Sequence, residues 1–234
     1  MDLSMRYPAP AILFFTAFGL LTGGTGDLEK ARDRQDRAAL EVLAGQAAEA
    51  AAKRSGDASA QYQAALAHSY LAEVAIELRD KAKAKQAAEE GIKAARAAVS
   101  LDPNKSEYHR VLGTLCGQVI PANVLAGLQY GKCAKEEVEK AIQLQPGSAM
   151  AWLGRGVGNY YLPPAFGGGV ELSLKDFEKA LALDPRLAEA HVWKGIALRK
   201  ANRNAEARKA FTRALELNPH RVWARQQLEK TPQQ

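Results

Sequence analysis

The sequence predicts an all-α protein, a right-handed α-solenoid of about four helix hairpins with a capping helix at each end. Apolar residues recur at three- and four-residue spacing, and the alternation typical of strands is absent. A second observation is a recurring segment, Ala-Leu-x-Leu-x-Pro, at residues 180–185 and 214–219, with close variants at 98–103 and 141–146. Because proline cannot continue a helix, each copy marks the end of one hairpin.

The clearest unit lies between Pro185 and Pro219, which are 34 residues apart. Two runs of helical period flank a short polar turn at residues 202–204. Small residues let the two helices approach closely, and Phe211 fills the gap between them. A single hairpin cannot bury its apolar side, so stacked neighbours are required. The earlier prolines are 43 and 39 residues apart, which indicates insertions of about nine and five residues.

These copies resemble the tetratricopeptide repeat (TPR), whose pattern is W-x2-L-G-x2-Y, then A-x3-F, then P. Trp152, Gly156, Phe177 and Pro185 fit it in the third copy. The other matches are Leu112, Gly113, Ala134 and Pro146 in the second copy, and Gly195, Ala207, Phe211 and Pro219 in the fourth. The departures are His109 and His191 in the tryptophan slot, Arg155 and Lys194 in the leucine slot, and Ser173 in an alanine slot.

Inserts lie at residues 119–127 and 162–169, and the segments at 127–131 and 160–169 make the chain similar to two subfamilies. One is the exported TPR component associated with tripartite ATP-independent periplasmic (TRAP) transporters, and the other is the TPR domain of the regulators of microtubule dynamics. The apolar insert at 119–127 is compatible with a short helix laid over the array, and the glycines at 167–169 permit a positive φ.

The resulting domain prediction has three parts. Residues 1–26 are a signal peptide, and residues 27–56 form an N-terminal cap, with one helix from Leu28 to Lys53 that Asp27 caps. The TPR array then covers residues 57–230, with repeats at 57–103, 104–146, 147–185 and 186–219, and a capping helix at 220–230.

The first residues predict export. Arg6 precedes an uncharged apolar run at residues 9–21, and small residues follow it, as in a secretory signal peptide. The run is short for a membrane span. We therefore expect a periplasmic or secreted protein with no stable membrane span after processing. The alternatives are an uncleaved N-terminal anchor and a cytosolic protein with a buried N-terminal helix.

Two cysteines, Cys116 and Cys133, fall on facing helices of one repeat. They are candidates for a disulfide in an oxidising compartment, or for two buried small apolar residues. The four histidines, His68, His109, His191 and His220, match no ligand spacing, and no nucleophile or phosphate-loop motif is present. We therefore expect no metal, no cofactor and no enzymatic activity.

The net charge of +6 comes from the C-terminal end. Residues 186–234 contain 11 Lys/Arg and 4 Asp/Glu, whereas the rest of the chain contains 21 and 22. This excess is typical of a solvated cap or of a docking surface for an acidic partner or lipid. Few aromatic residues are interleaved with these charges, so nucleic acid is not expected as a partner.

The expected binding surface is the inner groove formed by the first helix of each hairpin. We predict that it binds a protein or peptide, with an acidic partner as one option. An alternative is capture of a small organic acid near residues 160–169, as a transporter accessory. The predicted groove residues are Arg110, Thr114, Met150, Leu153, Val157, Tyr160, Tyr161, Val192, Ile196, Arg199 and Lys200.

Overall fold

The computed structural model describes residues 24–120 and 124–233, and this part of the chain contains eleven α-helices and a 3₁₀ turn at Pro164–Phe166. The helices are α1 (Thr25–Asp33), α2 (Arg37–Lys53), α3 (Ala58–Glu77), α4 (Lys81–Leu101), α5 (Ser106–Val119), α6 (Val124–Leu144), α7 (Ala149–Tyr161), α8 (Val170–Leu183), α9 (Ala188–Lys200), α10 (Asn204–Leu217) and α11 (Val222–Glu229).

Helices α3 to α10 form four successive hairpins, and each hairpin packs on the next. The first helices of neighbouring hairpins, α3, α5, α7 and α9, also contact one another, whereas the second helices do so much less. The array therefore curves, with the first helices on its inner, concave side. This confirms the predicted all-α solenoid.

The prolines end the hairpins as predicted. The second helices end at Leu101, Leu144, Leu183 and Leu217, in each case two residues before a proline. The backbone N–H groups at the next first-helix starts are then served by local turns, such as the Ser148 hydroxyl accepting from the amide of Ala151 at 3.2 Å.

The residues in the tryptophan slot share one hydrogen bond despite their different chemistry. Trp152 Nε1 donates to the carbonyl oxygen of Pro146 at 2.9 Å. The same bond to the preceding proline is made by His109 to Pro103 (2.8 Å), His191 to Pro185 (3.1 Å) and Arg225 to Pro219 (2.9 Å). Because a carbonyl only accepts, each slot needs a ring or guanidinium N–H rather than tryptophan itself. The two histidines are therefore functional replacements.

In the leucine slot, basic residues form ion pairs with neighbouring helices, one within a hairpin and one between hairpins. Arg155 Nη2 lies 2.6 Å from the carboxylate of Asp176, which is almost fully buried, and the guanidinium stacks 4.2 Å from the Trp152 ring centre. Lys194 pairs with Glu178 at 3.2 Å. The first pair therefore joins the two helices of the third hairpin by charge, and the second joins the third hairpin to the fourth.

Glycine permits the closest helix approach in three hairpins. A Cβ at Gly156 would lie 2.5 Å from the Phe177 ring, and one at Gly195 would lie 2.6 Å from the Phe211 ring. In the second hairpin, Val138 takes the place of the ring, and a Cβ at Gly113 would lie 2.7 Å from it. Phe177 and Phe211 are fully buried, as the predicted packing requires.

The apolar core is divided into two clusters. The first joins α1 to α6 and consists largely of alanine with Leu, Ile and Val. The second joins α7 to α11 and contains Phe177 and Phe211. The division falls between the second and third hairpins, so each half of the array has its own core.

The N-terminal cap differs from the prediction. Instead of one helix from Leu28 to Lys53, two helices, α1 and α2, are separated at residues 34–36. Gln35 adopts a left-handed conformation (φ 53°), and the Asp36 carboxylate caps α2 by accepting from the amide of Ala39 at 3.0 Å. A left-handed residue ends a helix in the same way as a C-terminal glycine, so the prediction of one helix was wrong. Most of the predicted leader lies outside the described residues.

The two inserts take different forms. In the second hairpin, residues 121–123 lie outside the described structure, and α6 begins at Val124 and carries Leu125 and Leu128, which are 72% and 82% exposed. In the third hairpin, a 3₁₀ turn at Pro164–Phe166 is followed by Gly167 and Gly169 with positive φ, as predicted for these glycines. None of the described helices combines the length and the apolar character needed to cross a membrane.

Candidate functional site

A row of aromatic side chains lies on α7, α9 and α11. We call Tyr160, Tyr161, Trp193 and Trp223 the aromatic row. Their ring centres are 5.1 to 6.0 Å apart, and each contact is edge-to-face, the arrangement that the ring quadrupole favours. Tyr161 is 56% exposed, and the other three rings are half-buried. The row therefore presents a rigid, partly wet apolar surface.

A solvent-facing cation stands beside this row. The exposed Lys200 ammonium lies 4.2 Å from the ring centre of Tyr160 and donates to the Tyr160 carbonyl oxygen at 3.1 Å. Its neighbour Arg199 is used differently. Arg199 donates to the backbone and side chain of Gln227 and to the Thr231 hydroxyl, so it holds the end of α11. Of these two predicted groove cations, Lys200 faces solvent.

The structure places four predicted groove residues in the interior. Leu153, Val192 and Ile196 are at most 6% exposed and belong to the core of the C-terminal half. Arg110 is also buried and forms an ion pair with Glu107. The first helices lie close enough to cover these side chains, so in this conformation the four residues are not accessible to a partner.

The other predicted groove residues are at least partly accessible. Met150 and Val157 are half-buried against the C-terminal core, on the same helix as Tyr160. Thr114 is half-buried on α5. The accessible part of the predicted groove is therefore concentrated on α7 and α9, where the aromatic row lies.

The N-terminal half covers its concave face instead. Helix α1 packs on α3, and Arg32 lies 5.1 Å over the ring of Tyr70. Tyr62 stacks on Tyr108 at 5.1 Å and donates to the Glu107 carboxylate at 3.2 Å. Burial, reinforced by Glu107, raises the pKa of Tyr62. This end of the groove is filled by the protein's own side chains.

A polar cluster joins the two ends of the helical array. Its centre is Arg221, which is 1% exposed and precedes α11. We call Arg221 and its charged neighbours the Arg221 cluster, which consists of Arg32, Asp33, Glu73, Glu77, Glu189 and Arg221. Sequence reasoning missed this cluster because its members are up to about 190 residues apart and follow no local pattern.

The aromatic row was only half predicted. Tyr160 and Tyr161 were expected in the groove, but Trp193 and Trp223 were not among the predicted groove residues. Trp193 connects Tyr160 to Trp223, at 5.9 and 5.3 Å. A signal existed in composition, since two of the chain's three tryptophans lie within 31 residues near the C-terminus.

A disulfide joins Cys116 on α5 to Cys133 on α6, with Cα atoms 6.0 Å apart. Cys116 is fully buried and Cys133 is half-buried. Within residues 24–120 and 124–233, no group of three or more His, Cys, Asp or Glu side chains is arranged to hold a metal ion. The geometry of this region supports surface recognition, and we found no set of side chains converging for catalysis there.

Known structures share the fold. TTC0263, a thermophilic TPR protein of Thermus thermophilus, aligns with a TM-score of 0.60 at 19% identity, covering 88% of this chain and 98% of its own. The HusA haemophore of Porphyromonas gingivalis aligns with a TM-score of 0.53 at 20% identity, covering 84% and 96%. At these identities, the likeness concerns the fold alone.

Sequence profiles identify the family. The tetratricopeptide repeat profile matches residues 188–221, and the profile of regulator of microtubule dynamics protein 1-3 matches residues 26–162. No curated protein sequence matches the chain. Because the second profile spans more than half of the chain, this protein belongs to the regulator of microtubule dynamics protein 1-3 family and ends in a tetratricopeptide repeat.

Proposed function

We propose that this protein is an exported TPR scaffold that binds a protein or peptide partner on the concave face of its C-terminal half. The observation that carries the proposal is the aromatic row. Four rings in edge-to-face contact on α7, α9 and α11 form a surface that is more exposed than the core and more apolar than an ordinary protein surface. Tyrosine and tryptophan dominate the energetic centres of protein interfaces.

The geometry of the row supports a macromolecular partner. Each ring is already held by its neighbours, so binding orders few additional torsions and costs little conformational entropy. The rings span α7, α9 and α11, which suits an extended segment or a helix lying across the inner helices. Apolar side chains of the partner would cover Tyr161, the most exposed member of the row.

Charge supports an acidic group on that partner. Lys200 is exposed at the edge of the row, and residues 186–234 carry seven more positive than negative side chains. A carboxylate of the partner would replace the water around Lys200 and steer association. The partner chemistry we propose is thus an apolar or aromatic segment with an acidic residue beside it.

The solute-capture alternative has less support. Its pocket was expected near residues 160–169, where the chain closes tightly on itself. The amide of Gly169 donates to the Asn159 carbonyl at 2.8 Å, and a Cβ at Gly168 would lie 2.2 Å from the Leu162 carbonyl oxygen. A hairpin packed at these distances leaves little room for an organic acid, so we favour a macromolecular partner.

Export is the second part of the proposal. The disulfide between Cys116 and Cys133 supports it, because such bonds persist in oxidising compartments and are rare in the cytosol. We expect envelope or secreted protein to lack about the first 26 residues and to contain no free thiol. The test is intact-mass measurement of protein from fractionated cells, with and without a thiol label. A full-length cytosolic chain that takes up two labels would contradict export.

The binding test compares two exposed aromatic residues. A photoreactive benzoyl-phenylalanine replaces Tyr161 in the aromatic row or, as the matched control, Phe166 in the third-hairpin insert, which is 74% exposed. Irradiation of living cells should give a specific adduct from position 161, and mass spectrometry identifies its partner. Equal adducts from both positions would indicate random collision and contradict the site.

Calorimetry with the identified partner then measures the contribution of the row. Tyr161→Ala should weaken binding by about tenfold or more, the loss expected for a residue at the energetic centre of an interface. Phe166→Ala should change the dissociation constant by less than about twofold. A Tyr161→Ala variant that binds as well as the unmodified protein would remove the row from the binding site.

A further inference from the structure

The Arg221 cluster connects parts of the chain that no hairpin connects. Arg221 Nη2 donates to Glu73 on α3 at 2.7 Å, and Arg221 Nη1 donates to Glu77 on the same helix at 3.1 Å. The Nε atom donates to Glu189 on α9 at 3.1 Å and lies 3.9 Å from Asp33 on α1. One side chain thus holds the first and last hairpins together.

Amide side chains extend this junction. Gln35 donates to Glu77 at 2.8 Å and pairs with Gln226 on α11 at 3.0 Å. Asn218, at the end of α10, donates to Asp33 at 2.7 Å. All these contacts are polar, and they join residues 33–77 to residues 189–226. The two ends therefore meet through side-chain hydrogen bonds and ion pairs.

Apolar packing contributes little to this junction. The helices that meet there, α1 and α3 on one side and α9 and α11 on the other, show little close backbone packing across it. Each side belongs to a different apolar core. Buried ion pairs are weak contributors to net stability, because desolvation offsets much of the attraction. Opening the junction would thus expose polar side chains while leaving both cores intact.

The charges in the junction are unbalanced. Asp33, Glu73, Glu77 and Glu189 provide four carboxylates, whereas Arg32 and Arg221 provide two guanidinium groups. Tyr70 on α3 and Trp223 on α11 also face the cluster, and neither carries charge at neutral pH. With all six groups ionised, two negative charges are left over, and in a poorly hydrated site that excess opposes closure.

We propose that the Arg221 cluster is a reversible closing contact, which holds the two ends of the array together and whose release opens the concave face. Arg221 lies 5.3 Å over the ring of Trp223, the last member of the aromatic row. Release of Arg221 therefore frees the end of that row, while α1 stays packed on α3. The contact itself does not depend on the identity of any partner.

The pH dependence follows from the acidic excess. Burial raises the pKa of Glu73 to about 8, although Arg221 counteracts this, whereas in Glu189 the nearby Arg221 and Arg32 outweigh burial and lower the pKa. The closed state thus binds the Glu73 proton more tightly than an open state in which that carboxyl meets water. Closure is therefore most favoured below the ordinary carboxyl pKa of 4.5, weakens as the pH rises from there, and weakens no further above about 8.

The test measures opening directly on the full chain. Small-angle scattering gives the radius of gyration, and hydrogen exchange gives protection helix by helix. Arg221→Gln should increase the radius and accelerate exchange in α1 and α11 by about tenfold or more, while α7 and α8 stay protected. Arg213→Gln is the matched control, since that exposed arginine pairs with Glu216 on its own helix.

A second variant keeps the proposal testable if Arg221→Gln does not fold. The unmodified protein should open progressively between about pH 5 and 8, whereas Glu73→Gln, which has no proton to lose at that position, should respond less over that range. An unchanged radius with an even rise of exchange in every helix of Arg221→Gln would overturn the proposal. An identical pH response of Glu73→Gln and the unmodified protein would overturn it too.

Discussion

The two halves of the array use their concave faces in opposite ways. In the N-terminal half, α1 covers α3, and the guanidinium of Arg32 on α1 lies over the ring of Tyr70. In the C-terminal half, the aromatic row lies partly open, with Lys200 beside it. The same hairpin architecture thus provides a filled face at one end and an accessible one at the other.

The cores differ in the same direction. The first hairpin is built from helices of 20 and 21 residues packed mainly through alanine, whereas the fourth uses helices of 13 and 14 residues around one phenylalanine. Small side chains bury little apolar area per residue, so the stability of the N-terminal half depends on its longer helices, the disulfide and the N-terminal cap. The C-terminal half depends on single large contacts, and individual substitutions should affect it most.

The largest effect is expected at Phe211. Phe211→Ala should lower the free energy of unfolding by about 3–5 kcal/mol, because the ring is fully buried between α9 and α10 and a cavity replaces it. Urea denaturation measures the change. Phe166→Ala, which removes an exposed ring, should stay within about 0.5 kcal/mol. A loss below about 1 kcal/mol at Phe211 would show that the C-terminal half does not depend on this contact.

In the N-terminal half, the largest single contribution to stability should come from the disulfide. Its cysteines are separated by 17 residues, and closing a loop of that size stabilises a protein by about 3 kcal/mol in the chain-entropy description. Cys116→Ala combined with Cys133→Ala should lose about that amount, with faster hydrogen exchange confined to α5 and α6. Hydrogen exchange that accelerates equally in α9 and α10 would mean that the two halves do not unfold as separate units.

Two glycine-to-alanine variants compare a position where a Cβ would clash with one where it has free space. Gly195→Ala places a methyl group 2.6 Å from Phe211, so it should destabilise by about 1–3 kcal/mol. Gly45→Ala on α2 meets no atom within 4 Å and should stabilise by about 0.5–1 kcal/mol, since glycine weakens a helix interior. Thermal unfolding distinguishes the two, and effects of the same sign would contradict the packing described for α9.

The smallest effect concerns His68 in the N-terminal half. Burial lowers its pKa below the ordinary 6.5, and the carboxylate of Glu90, 4.0 Å away, counteracts this only in part. The unfolded chain therefore binds the proton more readily. Below pH 6.5 this residue reduces stability by up to about 1.4 kcal/mol per pH unit, and above it the penalty vanishes.

Denaturation between about pH 5 and 8 tests this prediction, with His68→Gln as the comparison. The unmodified protein should lose more stability on acidification than the variant. Parallel pH profiles would mean that His68 is accessible to solvent and titrates normally in the folded protein.

Much of the fold could be predicted because its signals are local. The spacing of the prolines and the pairing of Gly195 with Phe211 depend on residues within one hairpin, and the structure confirms both. The break at Gln35 was missed, although Asp36 three residues before the Ala39 amide is a helix-start signal. Alanine and leucine on both sides of that break continue the helical period and concealed it.

The candidate site was predicted less well. Periodicity identifies which side of a helix faces inward, but it cannot tell how deeply the neighbouring helix covers that side. Leu153, Val192 and Ile196 were therefore expected to line the groove and are buried instead. Tyr160 and Tyr161 lie at the end of α7, beyond this cover, and they are accessible.

Local sequence thus determined the helices, their ends and their pairing, because three- and four-residue spacing, prolines and glycines act over one turn or one hairpin. Only the tertiary structure decided which part of the concave face is covered and how the ends meet. That outcome depends on the curvature accumulated over four hairpins, which brings Arg221 to Glu73 and Glu77 almost 150 residues away. Electrostatic contacts at such separation follow from the path of the chain in space and have no counterpart in local patterns.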